Sequence, residues 1–344
     1  MSTTPQTATA HDQVEPDAGS MHAVVQDRYG SADVLHHATV ARPESREDDV
    51  LIRVRAAGLH IGDWHLMTGQ PYLMRIMGFG LRAPKARVRG TDVAGTVVAV
   101  GSRVTDVQAG DEVFGTCDGA YAEYATARPD TLAPKPASLS FEQAAALPTS
   151  AVTALTAVRD AGHVTAGQRV LVIGASGGVG LFAVQIARAL GAEVTGVCST
   201  SKVAVVRSVG ADHVIDYSQA DIESNGRQYD VIVDTGGNRP LSQLRRSLSL
   251  RGTLVLVGGE GGGRWIGGAM GRSLRAMLLS PFVTQKLRMI FATATRAHLQ
   301  TLAELIEGGK ISPIIDTSYA LSDVPIAIRH LVTGRARGKL VIAV

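Results

Sequence analysis

The sequence predicts an α/β protein made of a β-rich domain and a doubly wound parallel-sheet domain. Three observations carry this expectation. Between Met21 and Tyr124, short runs such as "MHAVV", "VLIRVRAAG", "VAGTVVAVG", "DEVFG" and "AYAEYA" are broken by Gly, Asp and Pro, the pattern of a barrel-like β domain. After "LAPKPASLS", strands and helices alternate with short connections, which implies a parallel sheet covered on both faces. The chain then ends in "KLVIAV", a strand that returns after the alternating pattern, so the C-terminus is expected to complete the first domain. The resulting boundaries are a tail over 1–20, a β-rich domain over 21–146 and 310–344, and a parallel-sheet domain over 147–309.

With 344 residues, 45% hydrophobic and 19% charged, the chain has apolar surface for one large or two medium cores. A formal net charge of +3, dispersed along the chain, does not supply the concentrated basic face that nucleic acid requires. A small-molecule partner is expected instead. Cys117 and Cys198 are the only cysteines, which excludes a disulfide framework or a cysteine-rich zinc lobe and fits a reducing cytoplasm. The opening "MSTTPQTATAHDQVEPDAGS" has neither an apolar core nor a basic cluster, so it reads as a disordered tail. No stretch approaches the roughly 20 uninterrupted apolar residues of a spanning helix.

Taken in order, residues 66–90 are rich in Met, Gly and Arg and are expected to form a loop or broken helix beside a substrate pocket. "SFEQAAALPTSAVTALTAV" is alanine-rich and helical. Strands are expected at "RVLVIG", "EVTGVC", "HVIDY", "DVIVDTG" and "TLVLVGG", with helices over Val179–Leu190, Lys202–Ser208 and Leu241–Leu248. Gly191 and Gly210 stand where helix C-terminal glycines belong. The segment from Arg264 to Arg288 mixes apolar residues with Arg264, Arg272, Arg275, Lys286 and Arg288. A helix on a membrane surface fits that composition, but Pro281 interrupts the run, so a cap over the pocket or a subunit contact is expected. "SDVPIAIRHLVTG" reads as a capped helix with Pro325 in its first turn.

The chemistry centres on "LVIGASGGVG", residues 171–180. Gly174, Gly177 and Gly180 form G-x-x-G-x-x-G, a variant of the dinucleotide fingerprint in which glycines let the backbone turn tightly and approach a pyrophosphate at a helix N-terminus. Gly174, Ser176 and Gly178 also spell G-x-S-x-G, the elbow that exposes a nucleophilic serine in hydrolases. Both readings want a strand before and a helix after. A hydrolase would also need an acid and a histidine, for which Asp234 and His298 or His330 can be nominated, but no HGGG-type loop precedes Ser176.

The order of elements, the mid-chain glycine loop, "GTDVAGTVVAVGSRVTDVQAGDEVFG", "GAYAEYA" and the ending "RARGKLVIAV" together resemble the medium-chain dehydrogenase/reductase superfamily from Met21 to Val344. Within it the chain is most similar to the zinc-free quinone oxidoreductase and enone reductase branch, including relatives of the reticulon-interacting reductases, where "GASGGVG" is the usual loop. The resemblance implies a GroES-like β-rich catalytic domain plus a Rossmann domain, a homodimer, and hydride transfer to an apolar quinone or α,β-unsaturated carbonyl. An alcohol or aldehyde dehydrogenase-like activity and a noncatalytic NADPH-binding protein remain the alternatives. Under this reading Ser176 is a small residue in a phosphate-binding turn, beside Gly177, Gly178 and Val179.

NAD enzymes place a carboxylate about 20 positions beyond the loop. Residues 194–211 contain neither Asp nor Glu, and the strand ends in Ser199-Thr200-Ser201-Lys202, hydroxyls and an ammonium suited to a phosphate dianion. NADPH is therefore the expected cofactor. The resemblance adds Tyr217 at the same phosphate, Thr153 near the nicotinamide and Lys339 in the C-terminal motif; Gly236, Gly237, Gly258 and Gly259 end strands where backbone approach lets a cofactor pass. At the superfamily's zinc-ligand positions stand His60 and Thr91-Asp92, too few for a catalytic zinc, which takes three protein ligands. No metal is expected. The catalytic candidates are Tyr72, near where related enoyl reductases carry a proton-donating tyrosine, and His60, Asp63 and His65, which flank the expected cleft.

Overall fold

The computed structural model describes residues 19–224, 226–237, 239–258, 265 and 268–344. Its first part opens with a hairpin of β1 (Ser20–Gln26) and β2 (Leu35–Ala41). Then come β3 (Val50–Leu59), α1 (Ile61–Thr68), β4 (Asp92–Val100), β5 (Glu112–Thr116), β6 (Tyr124–Ala127) and β7 (Leu132–Pro134). The long strand β3 is the hub, pairing antiparallel with β4 and β6. Its Val54, Ala57 and Leu59 are buried with Val93, Val97 and Tyr121, as expected when one face of an antiparallel sheet covers a core.

The second part runs α2 (Phe141–Ala145), α3 (Pro148–Leu155), β8 (Arg169–Ile173), α4 (Gly178–Ala189), β9 (Glu193–Cys198), α5 (Val203–Ser208), β10 (His213–Asp216), β11 (Tyr229–Asp234), α6 (Leu241–Arg246), β12 (Leu248–Leu256), α7 (Gly268–Leu279), β13 (Lys286–Met289) and α8 (Arg296–Glu307). Six of these strands form a parallel sheet in the order β10-β9-β8-β11-β12-β13. Both faces are covered. Val170, Val172, Val231 and Val233 pack with Leu181, Val184 and Leu302 on one side, and Leu171, Ile173, Ile232 and Leu254 pack with Leu244 and Ala276 on the other. Each such side chain contributes about 1.5–3 kcal/mol by leaving water, which is why the strands read as unbroken apolar runs. The strand order reverses between β8 and β11, and ligands of such sheets bind in the crevice at the carboxyl ends there.

Past α8, β14 (Ile315–Ala320), α9 (Val324–Val332) and β15 (Lys339–Ala343) carry the chain back. β15 pairs antiparallel with β3, setting Leu340 opposite Leu59, and β14 lies parallel beside β15. The terminal strand is thus the seam that joins the last residues to the β-rich part.

Several boundaries differ from expectation. β1 already begins at Ser20, inside the span assigned to the tail, and residues 1–18 lie outside the described residues. Residues 200–202 form a 3₁₀ turn ahead of α5 rather than its first residues. α6 stops at Arg246 because Leu248 already pairs with Tyr229 as the start of β12. The segment expected as a cap or subunit contact contains an edge strand: buried Leu287 stands between exposed Lys286 and half-buried Arg288 in a strand of only four residues, too short for a period-2 signal to be read among charges. Residues 66–90 do hold a broken helix, a π turn over Arg75–Phe79 following α1.

Candidate active site

The glycine loop follows β8 directly. Gly174 adopts φ +78°, and a Cβ there would lie 2.4 Å from Thr235 Oγ1. A Cβ on Gly180 would lie 2.1 Å from the Gly174 carbonyl oxygen, so the first turn of α4 packs directly on the strand end. Gly177 is different: its nearest neighbour would be 3.4 Å away. Its hydrogen side faces space that an arriving ligand can use, at the N-terminus of a twelve-residue helix whose unpaired N–H groups favour an anion.

A cavity of about 820 Å³ opens on this junction. It brings together Gly177, Gly178 and Val179 of the loop, Thr153 of α3, Gly258 after β12, His60 and His65 of the α1 region, and Lys339. Trp64, Val257, Ile290, Phe291, Leu331 and Leu340 give it an apolar wall. A second cleft of about 390 Å³ lies farther along the carboxyl edge and gathers Gly174, Tyr217 and Gly236 with Asp221, Arg239 and Gln243.

Beneath the larger cavity the ends of β3, β4 and β15 and the start of α3 converge on a buried polar array. Asp92 is fully buried, and both its oxygens accept from the Thr149 backbone N–H, at 3.1 and 3.2 Å, while Thr149 Oγ1 donates to Oδ1 at 2.5 Å. Lys339, buried as well, donates from Nζ to the Leu59 carbonyl at 2.7 Å and to Ser150 Oγ at 2.9 Å, and lies 4.0 Å from Asp92 Oδ2. Burial pushes the Asp92 carboxyl up, opposed by His60, Lys339 and Thr149. It pushes the Lys339 ammonium down, opposed by Asp92 and Asp63. Gly178 has no room for a side chain because Lys339 Cδ would sit 2.9 Å from its Cβ. The lysine therefore lies against the loop itself, a buried cation beside a helix N-terminus.

His60 Nε2 shares a 2.7 Å hydrogen bond with Thr91 Oγ1 and lies 3.9 Å from Asp92. Asp63 is buried and accepts the His60 backbone N–H at 3.0 Å, closing the first turn of α1. His65 Nδ1 donates to the Gln70 carbonyl at 2.8 Å, and Thr153 Oγ1 donates to the Thr149 carbonyl at 2.6 Å.

Other expected site residues stand apart. Among the described residues lining either cavity, Tyr72 is not one: its ring meets Trp265 edge-on at 5.5 Å and the Arg75 guanidinium covers it at 4.7 Å. Ser176 is buried in the loop, and its nominated partners are engaged elsewhere. Asp234 accepts from the Gly236 and Gly237 N–H groups and from Arg272; His298 bonds Thr295; His330 bonds Tyr319 at 2.8 Å. Ser199 precedes the 3₁₀ turn, Thr200 donates to Asp216 at 2.5 Å, Ser201 is exposed, and Lys202 Nζ reaches across to donate to the Gly334 carbonyl at 2.6 Å. Gly259 lies outside the described residues. Sequence reasoning missed Thr149, Ser150 and Arg239, which carry no motif and acquire a place only through the convergence of distant strands.

The geometry agrees with the comparisons. Residues 46–137 match the alcohol dehydrogenase GroES-like domain and residues 209–342 match the family described as zinc-binding dehydrogenase. A 2-methylene-furan-3-one reductase of Solanum lycopersicum is 33% identical over 91% of this chain and 76% of its own. The chain belongs to the medium-chain dehydrogenase/reductase superfamily. The chloroplastic NADPH-dependent alkenal/one oxidoreductase of Arabidopsis thaliana is 33% identical over 99% of this chain and 85% of its own. The quinone oxidoreductase structure from Coxiella burnetii superposes with a TM-score of 0.83 at 29% identity, covering 94% of this chain and 99% of that one.

The superfamily includes zinc enzymes, but the donors here do not fit that metal. Among the described residues no three His, Cys, Asp or Glu side chains are grouped as ligands. Asp92 accepts from the N–H and the hydroxyl of Thr149, and the cation next to it is an ammonium. The glycine loop, by contrast, fits a dinucleotide: Gly177 offers room, α4 offers donors, and two cavities extend along the strand ends.

Proposed function

We propose that this protein is a zinc-independent, NADPH-dependent oxidoreductase that reduces a quinone or an alkene conjugated to a carbonyl. The observation that carries the proposal is a cavity in which the loop–helix junction, the buried Lys339 and an apolar wall from both parts of the chain face one another. The names of its relatives, a furanone reductase, an alkenal/one oxidoreductase and a quinone oxidoreductase, support the same substrate class.

When bound, the reduced nicotinamide supplies the hydride that the acceptor carbon receives. The chain holds and orients. Backbone N–H groups at the start of α4, with Lys339 beside them, neutralise the pyrophosphate. Trp64, Phe291, Leu331 and Leu340 exclude water around the reacting atoms. His60, with Thr91 behind Nε2, and His65 are the cavity-lining groups able to hydrogen-bond the oxygen on which charge grows or to return a proton to it. With the hydride acceptor already activated by conjugation, no Lewis acid is required.

The proposed preference for NADPH takes Ser199–Lys202, after β9, and Tyr217, in the smaller cleft, as the receivers of its additional phosphate. Lys202→Ala is expected to weaken NADPH roughly tenfold or more while leaving NADH nearly unchanged, in line with loss of one charge-assisted contact. Equal losses for both cofactors would contradict the phosphate assignment. Tyr72→Phe is expected to leave turnover within about twofold, because its ring packs against Trp265 outside the cavity. A far larger drop in kcat would restore the tyrosine as proton donor.

Turnover of chelator-treated protein with NADPH against matched quinones, enones and saturated aldehydes tests the whole reading. Reduction of the conjugated acceptors alone supports it. Aldehyde reduction would favour a dehydrogenase-like activity, and cofactor binding without turnover of any acceptor would favour a noncatalytic NADPH-binding protein. A homodimer in the cytoplasm accompanies the proposal, and the oligomeric state is open to direct measurement by sedimentation.

A further inference from the structure

The helix α7 exposes large apolar side chains. Its inner face carries buried Ser273 and Ala276, half-buried Leu279 against the core, and Arg272 tied to Asp234 at the end of β11. Its outer face is apolar: Leu274 is 55% exposed, Met277 65% and Leu278 64%, and Phe282, just beyond the helix, 83%. A surface helix ordinarily keeps such a face polar.

The patch continues past α7 in both directions. Trp265, on its N-terminal side, is exposed and touches the 66–90 segment twice, through the Tyr72 ring and through its carbonyl, which accepts from the Leu73 N–H at 3.2 Å. That segment presents Ile76, Met77, Phe79 and Leu81, all exposed. Beyond β13, Met289 and Phe291 are also exposed, and Phe291 lines the large cavity.

Charge decides what such a patch faces. The chain as a whole is nearly balanced, with 34 basic and 31 acidic residues. Yet residues 64–91 contain no Asp or Glu and five Lys or Arg, and residues 261–303 contain no Asp or Glu and six Lys or Arg. Several of these are used internally: Arg75 bonds the Gly69 and Thr68 carbonyls, Arg87 pairs with Asp27, Arg272 pairs with Asp234, and Arg296 pairs with Asp106. Arg82, Lys85, Arg275 and Lys286 are exposed and, among the described residues, have no ion-pair partner. Exposed aliphatic and aromatic side chains set among unpaired cations, with acids absent, are what an anionic lipid surface attracts.

We propose that the face formed by α7 and Phe282 docks the protein onto anionic membranes, as a peripheral contact. No helix among the described residues is long and apolar enough to cross a membrane, so the contact is interfacial. The inference is independent of the reaction catalysed.

The test is co-sedimentation of the full chain with vesicles of phosphatidylcholine alone and of phosphatidylcholine and phosphatidylglycerol in equal parts. The protein pellets with the mixed vesicles at low salt, stays in solution with phosphatidylcholine alone, and is released by high salt. The double variants Met277→Glu with Leu278→Glu, and Arg275→Glu with Lys286→Glu, each lower partitioning at least about tenfold, while cofactor affinity and the unfolding midpoint stay at wild-type values. Absence of pelleting with the mixed vesicles overturns the proposal. So does a sedimentation-velocity dimer that Met277→Glu with Leu278→Glu converts to monomer, because a second copy would then cover this face.

Discussion

Lys339→Met is expected to lower cofactor affinity roughly 10- to 100-fold and to destabilise the fold by up to about 3–5 kcal/mol. Both effects come from one location. The Lys339 side chain lies against Gly178 at the N-terminus of α4, with its ammonium on the Leu59 carbonyl and Ser150 Oγ, so under the proposed function its removal takes away a cation beside the pyrophosphate site. The same change leaves Asp92 buried, 4.0 Å from where its cation was, with the Thr149 donors and the His60 ring as its remaining neighbours. Asp92 already has its carboxyl pushed up by burial, and the variant pushes it further. A group whose folded pKa is raised contributes stability at low pH that is lost as pH rises through that pKa. The variant is therefore expected to lose stability, relative to the wild type, as pH rises above the ordinary carboxylate range. Denaturant titrations of both proteins on either side of that range, with a cofactor titration, check the two effects separately. Lys339→Arg is not expected to rescue, since a planar fork does not fit a pocket closed by Leu59, Ser150 and Gly178.

The glycine loop yields the second large effect. Gly180→Ala places a methyl 2.1 Å from the Gly174 carbonyl and 2.8 Å from Ala175 Cα, both backbone atoms that cannot step aside. A loss of at least about 3 kcal/mol is expected, seen as a lower midpoint of unfolding. Gly177→Ala is its counterpart. Its φ of −78° suits any residue and its Cβ would meet nothing closer than 3.4 Å, so the protein is expected to fold as the wild type does. The added methyl projects into the cavity, however, and cofactor binding is expected to fall at least about tenfold. A Gly177→Ala protein that is stable and binds normally would detach the cavity from the cofactor.

These two variants also mark what the sequence could convey. The loop was legible because the strand before it, the helix after it and the glycine spacing are all local, and β8 and β11 announce themselves as apolar runs buried on two faces. The return of β15 was legible for the same reason. The partners of Lys339 were not: Leu59, Asp92 and Ser150 lie 280, 247 and 189 positions away and meet only because β15 pairs with β3 while α3 starts beneath β4. Asp92 was read at a metal position, whereas the fold gives its oxygens to Thr149. Tyr72 followed from resemblance, but its ring is held against Trp265 by contacts that no local pattern encodes. Edge strand β13 was hidden by its brevity and its charges.

The central claim is that the cavity at Gly177 holds NADPH. Titration of chelator-treated protein with NADPH and with NADH, followed by cofactor fluorescence, tests it most directly. The account predicts saturable binding of NADPH, clearly weaker binding of NADH, and loss of both in the folded Gly177→Ala variant. Binding of neither cofactor by the wild-type protein would contradict it.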